Sequence, residues 1–142
     1  MIIEAEKEHI PIIAIMLHEM YAELFPAHAV SDINIYINEV VKMFNDIKTR
    51  VFIDDSFKGF IQVRDETEPI APTMIRIHGV RVYIRLEYRK TRLLAEFYAK
   101  LFKEFPDGDI LGVTEIHSEH IAVLDKRHTR IANMYKLNRG TK

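Results

Sequence analysis

Residues 74–85 read MIRIHGVRVYIR, and this stretch decides the fold of the chain. Its apolar residues change phase at Gly79: they stand at odd positions before this glycine and at even positions after it. The two sets are Ile75 and Ile77, then Val80, Val82 and Ile84. Side chains of a flat β-strand alternate between two faces, so such a strand would send the two sets to opposite faces. One additional residue in the strand would return both sets to the same face. Gly79 is a suitable place for it, because glycine is common at β-bulges. The pattern predicts a bulged strand, with a strand buried on both faces as the alternative.

The residues before this stretch predict one short strand and then two helices. An apolar pair opens residues 1–5, which predict the strand. Pro11 suits the first turn of the first helix, Pro26 ends it, and Ser31 or Asp32 can cap the second helix. Apolar residues recur in both segments at a spacing of three and four, which is typical of a helix. The two stripes are Ile13, Met16, Leu17, Met20 and Leu24, then Ile33, Ile37, Val40, Val41 and Phe44.

The rest of the chain predicts further strands and helices. Residues 54–59, DDSFKG, are rich in turn formers and join two short apolar runs into a hairpin. Residues 65–72 are acidic, contain two prolines and predict an exposed loop. Helical spacing predicts a long helix at 89–105, whose stripe is Leu94, Phe97, Leu101, Phe102 and Phe105. The other predicted elements are strands at 51–53, 60–63, 110–116 and 131–137, and a short helix at 119–126.

Length, composition and charge limit the class of protein. The chain has 142 residues, with 20 Lys and Arg, 21 Asp and Glu, no Cys, and a net charge of -1. This length and the element order β-α-α-β-β-β-α-β-α-β predict one α/β domain over residues 1–142, a mixed sheet with helices on both faces. The near-zero charge gives no field to attract nucleic acid or an anionic membrane, and the lack of Cys excludes disulfides and thiolate zinc sites. With no export signal and no membrane span, we expect a cytoplasmic location.

Residues 82–89, VYIRLEYR, and the helix that follows them resemble the central segment of the GNAT superfamily of N-acetyltransferases. The element order is similar to that of the superfamily over almost the whole chain. The resemblance implies the GNAT-like (acyl-CoA N-acyltransferase) fold, with a mixed, mostly antiparallel central sheet. In that fold a bulge separates two neighbouring strands and admits the pantetheine arm of acetyl-CoA. A cofactor cleft is therefore implied between the bulged strand and residues 110–116, with Val82, Tyr83 and Ile84 in its wall.

The same resemblance implies a pyrophosphate site at residues 89–94, RKTRLL. The superfamily has (Arg/Gln)-x-x-Gly-x-(Gly/Ala) there, and backbone N–H groups at the helix N-terminus bind the phosphates. Arg89 matches the first position, but Arg92 and Leu94 stand where the small residues belong. Basic side chains would then bind phosphate by charge, and the alternative is an ordinary solvated helix face. The candidate cofactor residues of the turn are Arg89, Lys90, Thr91, Arg92, Leu93 and Leu94.

Acetyl transfer to an amine needs a base for the ammonium group and an acid for the leaving thiolate. Members of the superfamily often use a Glu or a water on the central strands as the base, and a Tyr in the last helix as the acid. The predicted last helix contains no Tyr, and Tyr135 on the last strand is the nearest one. The candidate bases are Glu115, His117 and His78. Each candidate has a structural alternative: a hydrogen-bonded His, a solvated strand end or a packed Tyr.

Two other patterns have simpler explanations. Histidines near the end of the chain offer two metal ligands at most, too few for a zinc site, so we expect no metal. The residues concerned are His117, Glu119, His120 and His128. Aromatic side chains near basic ones are typical of single-stranded nucleic-acid binding, but core packing explains them and we expect no nucleic-acid partner. These residues are Tyr83, Tyr88, Phe97 and Tyr98.

The resemblance implies an enzyme that moves the acetyl group of acetyl-CoA to an amine. The acceptor would be a small molecule, a peptide N-terminus or a lysine, and residues 25–30, with His28, are implied as one wall of its site. The second hypothesis is a catalytically inactive GNAT-fold binding or structural protein, of a kind that some phages encode, which has lost CoA binding. Exposed sheet edges would allow a homodimer, and we expect no membrane partner.

Overall fold

The structure is a computed structural model that describes residues 1–112. Its elements follow the predicted order up to the fifth strand, and the predicted helix 119–126 and strand 131–137 lie outside the described residues. The strands are β1 (Ile2–Glu4), β2 (Thr49–Asp54), β3 (Gly59–Asp65), β4 (Arg76–Ile84) and β5 (Asp109–Gly112). The helices are α1 (Ile10–Leu24), α2 (Ile33–Asn45) and α3 (Leu93–Glu104), and short 3-10 turns lie at Lys7–His9 and Leu86–Tyr88.

The five strands form one mixed sheet in the order β1-β2-β3-β4-β5. The first four strands pair antiparallel with their neighbours. β4 and β5 are parallel, with Arg76 opposite Asp109 and Gly79 opposite Gly112. A parallel pair needs a crossover connection, and α3 supplies it. The predicted mixed, mostly antiparallel sheet is confirmed.

β4 carries a β-bulge at the place that the phase change predicts. Val63 of β3 stands opposite Gly79, whereas its neighbour Gln62 stands opposite Arg81. Val80 is therefore an additional residue of β4 in the register with β3. The predicted bulge is confirmed, and it lies one residue after the glycine.

The bulge brings apolar residues from both halves of β4 to one face. Ile77 is 1% exposed beneath α3, and Ile84 packs against the same cluster although its position has the opposite parity. Val80 and Val82 differ from them, since they keep 38% and 46% of their surface exposed. The second half of β4 therefore presents an exposed apolar strip, formed by Val80 and Val82.

An apolar core lies on each face of the sheet, which confirms the helices on both faces. α1 and α2 cover one core, and its fully buried side chains include Ile13, Met16, Leu17, Val40 and Phe60. α3 covers the other, and its fully buried side chains include Phe52, Val63, Ile77, Phe97 and Leu101. Burial of large side chains such as these is the main favourable contribution to folding.

The buried face of α2 differs from the predicted stripe. The helix buries Tyr36, Val40 and Met43, and it leaves Ile33 and Val41 each 37% exposed. The Tyr36 hydroxyl group donates a hydrogen bond to the carbonyl oxygen of Val30 at 2.9 Å. The ring of Tyr36 also packs against Tyr21, with 6.2 Å between the ring centroids. The sequence stripe missed this face because a tyrosine can be buried when its hydroxyl group has a partner.

α3 begins four residues later than predicted. Residues 89–92 form a turn, and the Thr91 hydroxyl group donates to the carbonyl oxygen of Tyr88 at 2.6 Å and accepts from the N–H of Leu93 at 3.3 Å. Such local side-chain bonds compete with helix formation, so the helix starts only after Arg92. Phe102 of the predicted stripe is 64% exposed, whereas Phe97 and Leu101 are buried.

The hairpin between β2 and β3 is confirmed, with Ile53 opposite Phe60. The carboxylate of Asp54, buried at 3% exposure, accepts the N–H of Ser56 at 2.9 Å and shapes the turn. Gly59 allows the close approach of β3 to β4, because a Cβ atom there would lie 2.5 Å from the carbonyl oxygen of Tyr83. In the described part of the chain, no helix is long and apolar enough to cross a membrane.

Candidate functional site

The nine predicted cofactor residues lie in two groups, one at the end of β4 and one in the turn and first residues of α3. Val82, Tyr83 and Ile84 end β4, and a short 3-10 turn, Leu86–Tyr88, separates them from the rest. The remaining residues lie in the turn and at the start of α3: Arg89, Lys90, Thr91, Arg92, Leu93 and Leu94. The first group begins where the bulge leaves the strand exposed.

The first turn of α3 has features that fit a phosphate group. Arg92 is the N-cap residue, and its side chain makes no capping hydrogen bond with the described residues. The first N–H groups of a helix lack partners within the helix and carry the positive end of its dipole. Leu93 turns into the core and is 4% exposed, while the side chains of Lys90 and Arg92 are exposed. Two exposed cations therefore lie within the three residues that precede the helix, and Leu94 in its first turn is half-buried.

Arg89, in contrast, is held by other parts of the chain. Both of its Nη atoms donate to the carboxylate of Glu23 in the last turn of α1. Its Nε atom donates to the carbonyl oxygen of Ile84 at 2.8 Å, and its guanidinium group lies 5.6 Å from the ring centre of Tyr83. This pairing raises the pKa of Arg89 and lowers the pKa of Glu23, so both groups stay ionised at neutral pH.

A second ion pair lies one helical turn earlier on α1. Arg85 donates to the two carboxylate oxygens of Glu19 at 3.0 and 3.1 Å. The hydroxyl group of Tyr83 donates to Glu19 at 3.4 Å, and burial, followed by the charge of Glu19, raises the pKa of Tyr83. The two ion pairs join the second half of α1 to the strand end and the turn.

His78 lies in β4 one residue before Gly79. Its neighbour Ile77 faces α3, so alternation places the imidazole on the opposite face, beneath α1 and α2. The Nε2 atom of His78 is buried and has no hydrogen-bond partner among residues 1–112. A buried polar atom without a partner costs about 1–3 kcal/mol, so such an atom in a native fold needs an explanation.

Arg81 is a functional candidate that the sequence did not indicate. It donates to the side-chain oxygen of Gln62 at 3.0 Å and to the Tyr21 hydroxyl group at 3.4 Å, and it lies 3.5 Å from the carboxylate of Glu39. These contacts place Arg81 beneath α1 and α2. Because the bulge intervenes, His78 and Arg81 share this face although they are three residues apart. A buried Gln62 within an apolar run was the signal that could have pointed here.

The other predicted site residues are not brought together by the described part of the chain. Glu115, His117 and Tyr135 lie outside the described residues, as does the histidine set considered for a metal. Within residues 1–112, no group of three or more metal-ligating side chains occurs. His28 is exposed in the connection between α1 and α2, while Phe97 is fully buried in the core beneath α3.

Comparisons with known proteins give likeness in structure only. No family model matches the chain, and no curated protein matches it. A possible acetyltransferase from Clostridium difficile 630 is similar with a TM-score of 0.75 and 16% identity over 97% of this chain and 96% of that one. A protein from Clostridium acetobutylicum described as a predicted acetyltransferase, solved with acetyl-CoA, has a TM-score of 0.73 and 10% identity over 97% of this chain and 95% of that one. A ribosomal-protein-alanine N-acetyltransferase from Brucella melitensis biovar Abortus 2308 has a TM-score of 0.71 and 10% identity over 97% and 98%.

These similarities extend over nearly the full length of each chain, and their low identity restricts them to the fold. They agree with what the strands show independently: a bulged β4, a parallel β4–β5 pair and helices on both faces of the sheet. The chain therefore has the GNAT fold, that of the acyl-CoA N-acyltransferases.

Proposed function

We propose that this chain is an N-acetyltransferase that moves the acetyl group of acetyl-CoA to an amine. The observation that carries the proposal is the bulged half of β4, which leads directly into a turn with two exposed cations and a helix N-terminus. A pyrophosphate and an extended pantetheine arm need this combination of a positive surface and an exposed apolar strip. The acetyl-CoA in the Clostridium acetobutylicum protein, which has the same fold, supports this choice of ligand.

In this proposal, the phosphates lie against Lys90, Arg92 and the N–H groups of Leu94 and Ala95, since the N–H of Leu93 already donates to Thr91. The pantetheine arm lies along the exposed strip of β4 that includes Val82. Side chains rather than small residues supply part of the phosphate contact, since Arg92 and Leu94 replace the glycines of the superfamily turn. Thr91 fixes the turn through its hydrogen bonds to Tyr88 and Leu93.

The chemistry needs a group that removes a proton from the acceptor ammonium. The thioester of acetyl-CoA supplies the acetyl group when bound. The amine nitrogen forms a bond to the acetyl carbon, the carbon–sulfur bond breaks, and the thiolate takes up a proton. We assign the removal of the ammonium proton to His78, whose Nε2 atom is buried and has no hydrogen-bond partner among the described residues. Glu115 and His117 are the sequence-based alternatives for this proton, and Tyr135 is the candidate donor to the thiolate.

The second candidate function is a GNAT-fold protein that binds no CoA. The observation in its favour is Arg89, whose guanidinium group is already paired with Glu23 within the chain. If the remaining cations do not suffice, the fold would serve as a binding or structural module.

The experiment that separates the two functions is a calorimetric titration with CoA. We expect Lys90→Ala and Arg92→Ala each to weaken binding by about three- to tenfold, because each removes one charge-assisted phosphate contact. Lys103→Ala is the matched control: it removes the same charge from the last turn of α3, at the opposite end of the helix. No heat from the native chain at millimolar CoA would reject the first function and favour the second.

A further inference from the structure

The ion pair between Glu23 and Arg89 lies next to the surface proposed to bind phosphate. Arg89 is the first residue of the turn, and the two carboxylate oxygens of Glu23 take both of its Nη atoms. The third nitrogen atom, Nε, donates to Ile84. All three nitrogen atoms of this guanidinium group therefore have partners within the chain.

The two other cations of the turn are in a different state. Lys90 and Arg92 are exposed, and neither forms an ion pair with the residues that the structure describes. The positive charge open to a ligand therefore comes from these two side chains and from the N-terminus of α3. The charge of Arg89 is balanced by Glu23.

A phosphate group and a carboxylate bind an arginine in the same way, by paired hydrogen bonds to the guanidinium fork. Glu23 thus occupies the position that a ligand phosphate would take on Arg89. The side chains of Glu23 and Arg89 are 38% and 36% exposed, and an ion pair this open to solvent contributes little to stability. The pair can therefore exchange one partner for another.

We infer that Glu23 sets the phosphate affinity of the turn by competing with the ligand for Arg89. The inference rests on the proposed function in one respect: it takes the phosphate to be that of CoA. Glu23 acts against the ligand twice, since it pairs with Arg89 and places a negative charge beside the phosphate. The competition explains why only two of the three basic residues of the turn are open to a ligand, since Glu23 pairs with the third, Arg89.

The chain contains a close control for this inference. Glu19 lies one helical turn before Glu23 on α1 and also forms a bidentate pair, but its partner is Arg85, outside the turn. Glu19→Gln removes the same charge from the same helix and breaks the same kind of contact. It leaves the pairing of Arg89 unchanged.

The test is a calorimetric titration of the native chain and three variants with inorganic pyrophosphate and, separately, with CoA. The variants are Glu23→Gln, Glu19→Gln and the double variant Glu23→Gln with Arg89→Gln. We expect Glu23→Gln to bind both ligands about three- to tenfold more tightly, and Glu19→Gln to stay within about twofold of the native chain. The gain should vanish in the double variant, because Arg89 is the group that the glutamate releases. Circular dichroism confirms folding, and Glu23→Ala replaces Glu23→Gln if that variant is unstable.

Each outcome decides both the inference and the proposed function. Tighter pyrophosphate and CoA binding by Glu23→Gln supports both. Tighter pyrophosphate binding with no CoA binding by any variant retains the inference and rejects the proposed function. If the native chain binds CoA and Glu23→Gln binds it with equal or lower affinity, the inference is overturned and the proposed function is retained. If no variant binds either ligand, both are rejected.

Discussion

At the residue scale, the imidazole of His78 connects the bulge to the proposed chemistry. Its Nε2 atom is buried without a hydrogen-bond partner among residues 1–112, and it shares a face of the sheet with Arg81. A purely structural histidine would be expected to use this nitrogen atom in a hydrogen bond. The open nitrogen atom is therefore the property that favours a base over a packing residue.

We expect His78→Gln to lower kcat for acetyl transfer by about a hundredfold or more, because glutamine has similar hydrogen-bonding groups but cannot take up the proton. The affinity for CoA should stay within about twofold, since the imidazole lies on the face opposite α3. A variant with native turnover would transfer the role of base to Glu115 or His117.

At the element scale, the bulge in β4 determines which side chains face which helices. Val80 is the additional residue, so the residues after it keep the faces that the rest of the sheet requires. Tyr83 packs in the core beneath α1 and α2, and Ile84 packs beneath α3. A shift by one residue would exchange these two faces.

Insertion of one alanine between Val82 and Tyr83 should therefore lower the free energy of unfolding by about 3 kcal/mol or more, because it shifts Tyr83 and Ile84 by one position and sends them to the wrong cores. Val80→Ala retains the bulge and removes only a side chain that is 38% exposed, so its cost should stay below about 1 kcal/mol. Urea denaturation followed by circular dichroism measures both values. Equal stability of the two variants would contradict the claim that the register of β4 after the bulge fixes these two faces.

At the scale of the whole molecule, local patterns predicted the elements and missed the contacts between them. The phase change at Gly79 was enough to predict the bulge, because a strand has a strict period of two. The Arg89–Glu23 pair was not predictable from the sequence, since the two residues are 66 positions apart. No local sequence pattern around one residue points to the other. The same holds for Arg81, which meets α1, α2 and β3 only in the folded chain.

Asp46 gives a prediction for the stability of the whole fold against acid. Its carboxylate joins α2 to the sheet: it accepts from Arg64 at 2.9 Å and from the Thr49 hydroxyl group at 2.8 Å. The hydrogen bond from Arg64, followed by those from Lys48 and Thr49, lowers the pKa of Asp46 from 3.8 to about 2. A lowered pKa in the folded state contributes stability above the ordinary value, and that contribution is lost as the pH falls from 3.8 toward 2.

We expect the urea midpoint of the native chain to fall between about pH 5 and about pH 3 by more than that of Asp46→Asn, which has no proton to gain there. Asp107→Asn removes one carboxylate from an exposed turn after α3 and is the matched control for the loss of one negative charge. Parallel curves for the native chain and Asp46→Asn would show that Asp46 makes no contribution to acid stability.

The central claim is that the bulged half of β4 and the turn after it bind acetyl-CoA as one site. A crystal structure of the chain with acetyl-CoA tests this claim most directly. We expect phosphate oxygens within hydrogen-bond distance of the N–H groups of Leu94 or Ala95 and of Lys90 or Arg92, with the pantetheine arm along Val82. Acetyl-CoA bound elsewhere would contradict this claim, as would crystals grown with acetyl-CoA in which Arg89 remains paired with Glu23 and the turn binds no ligand.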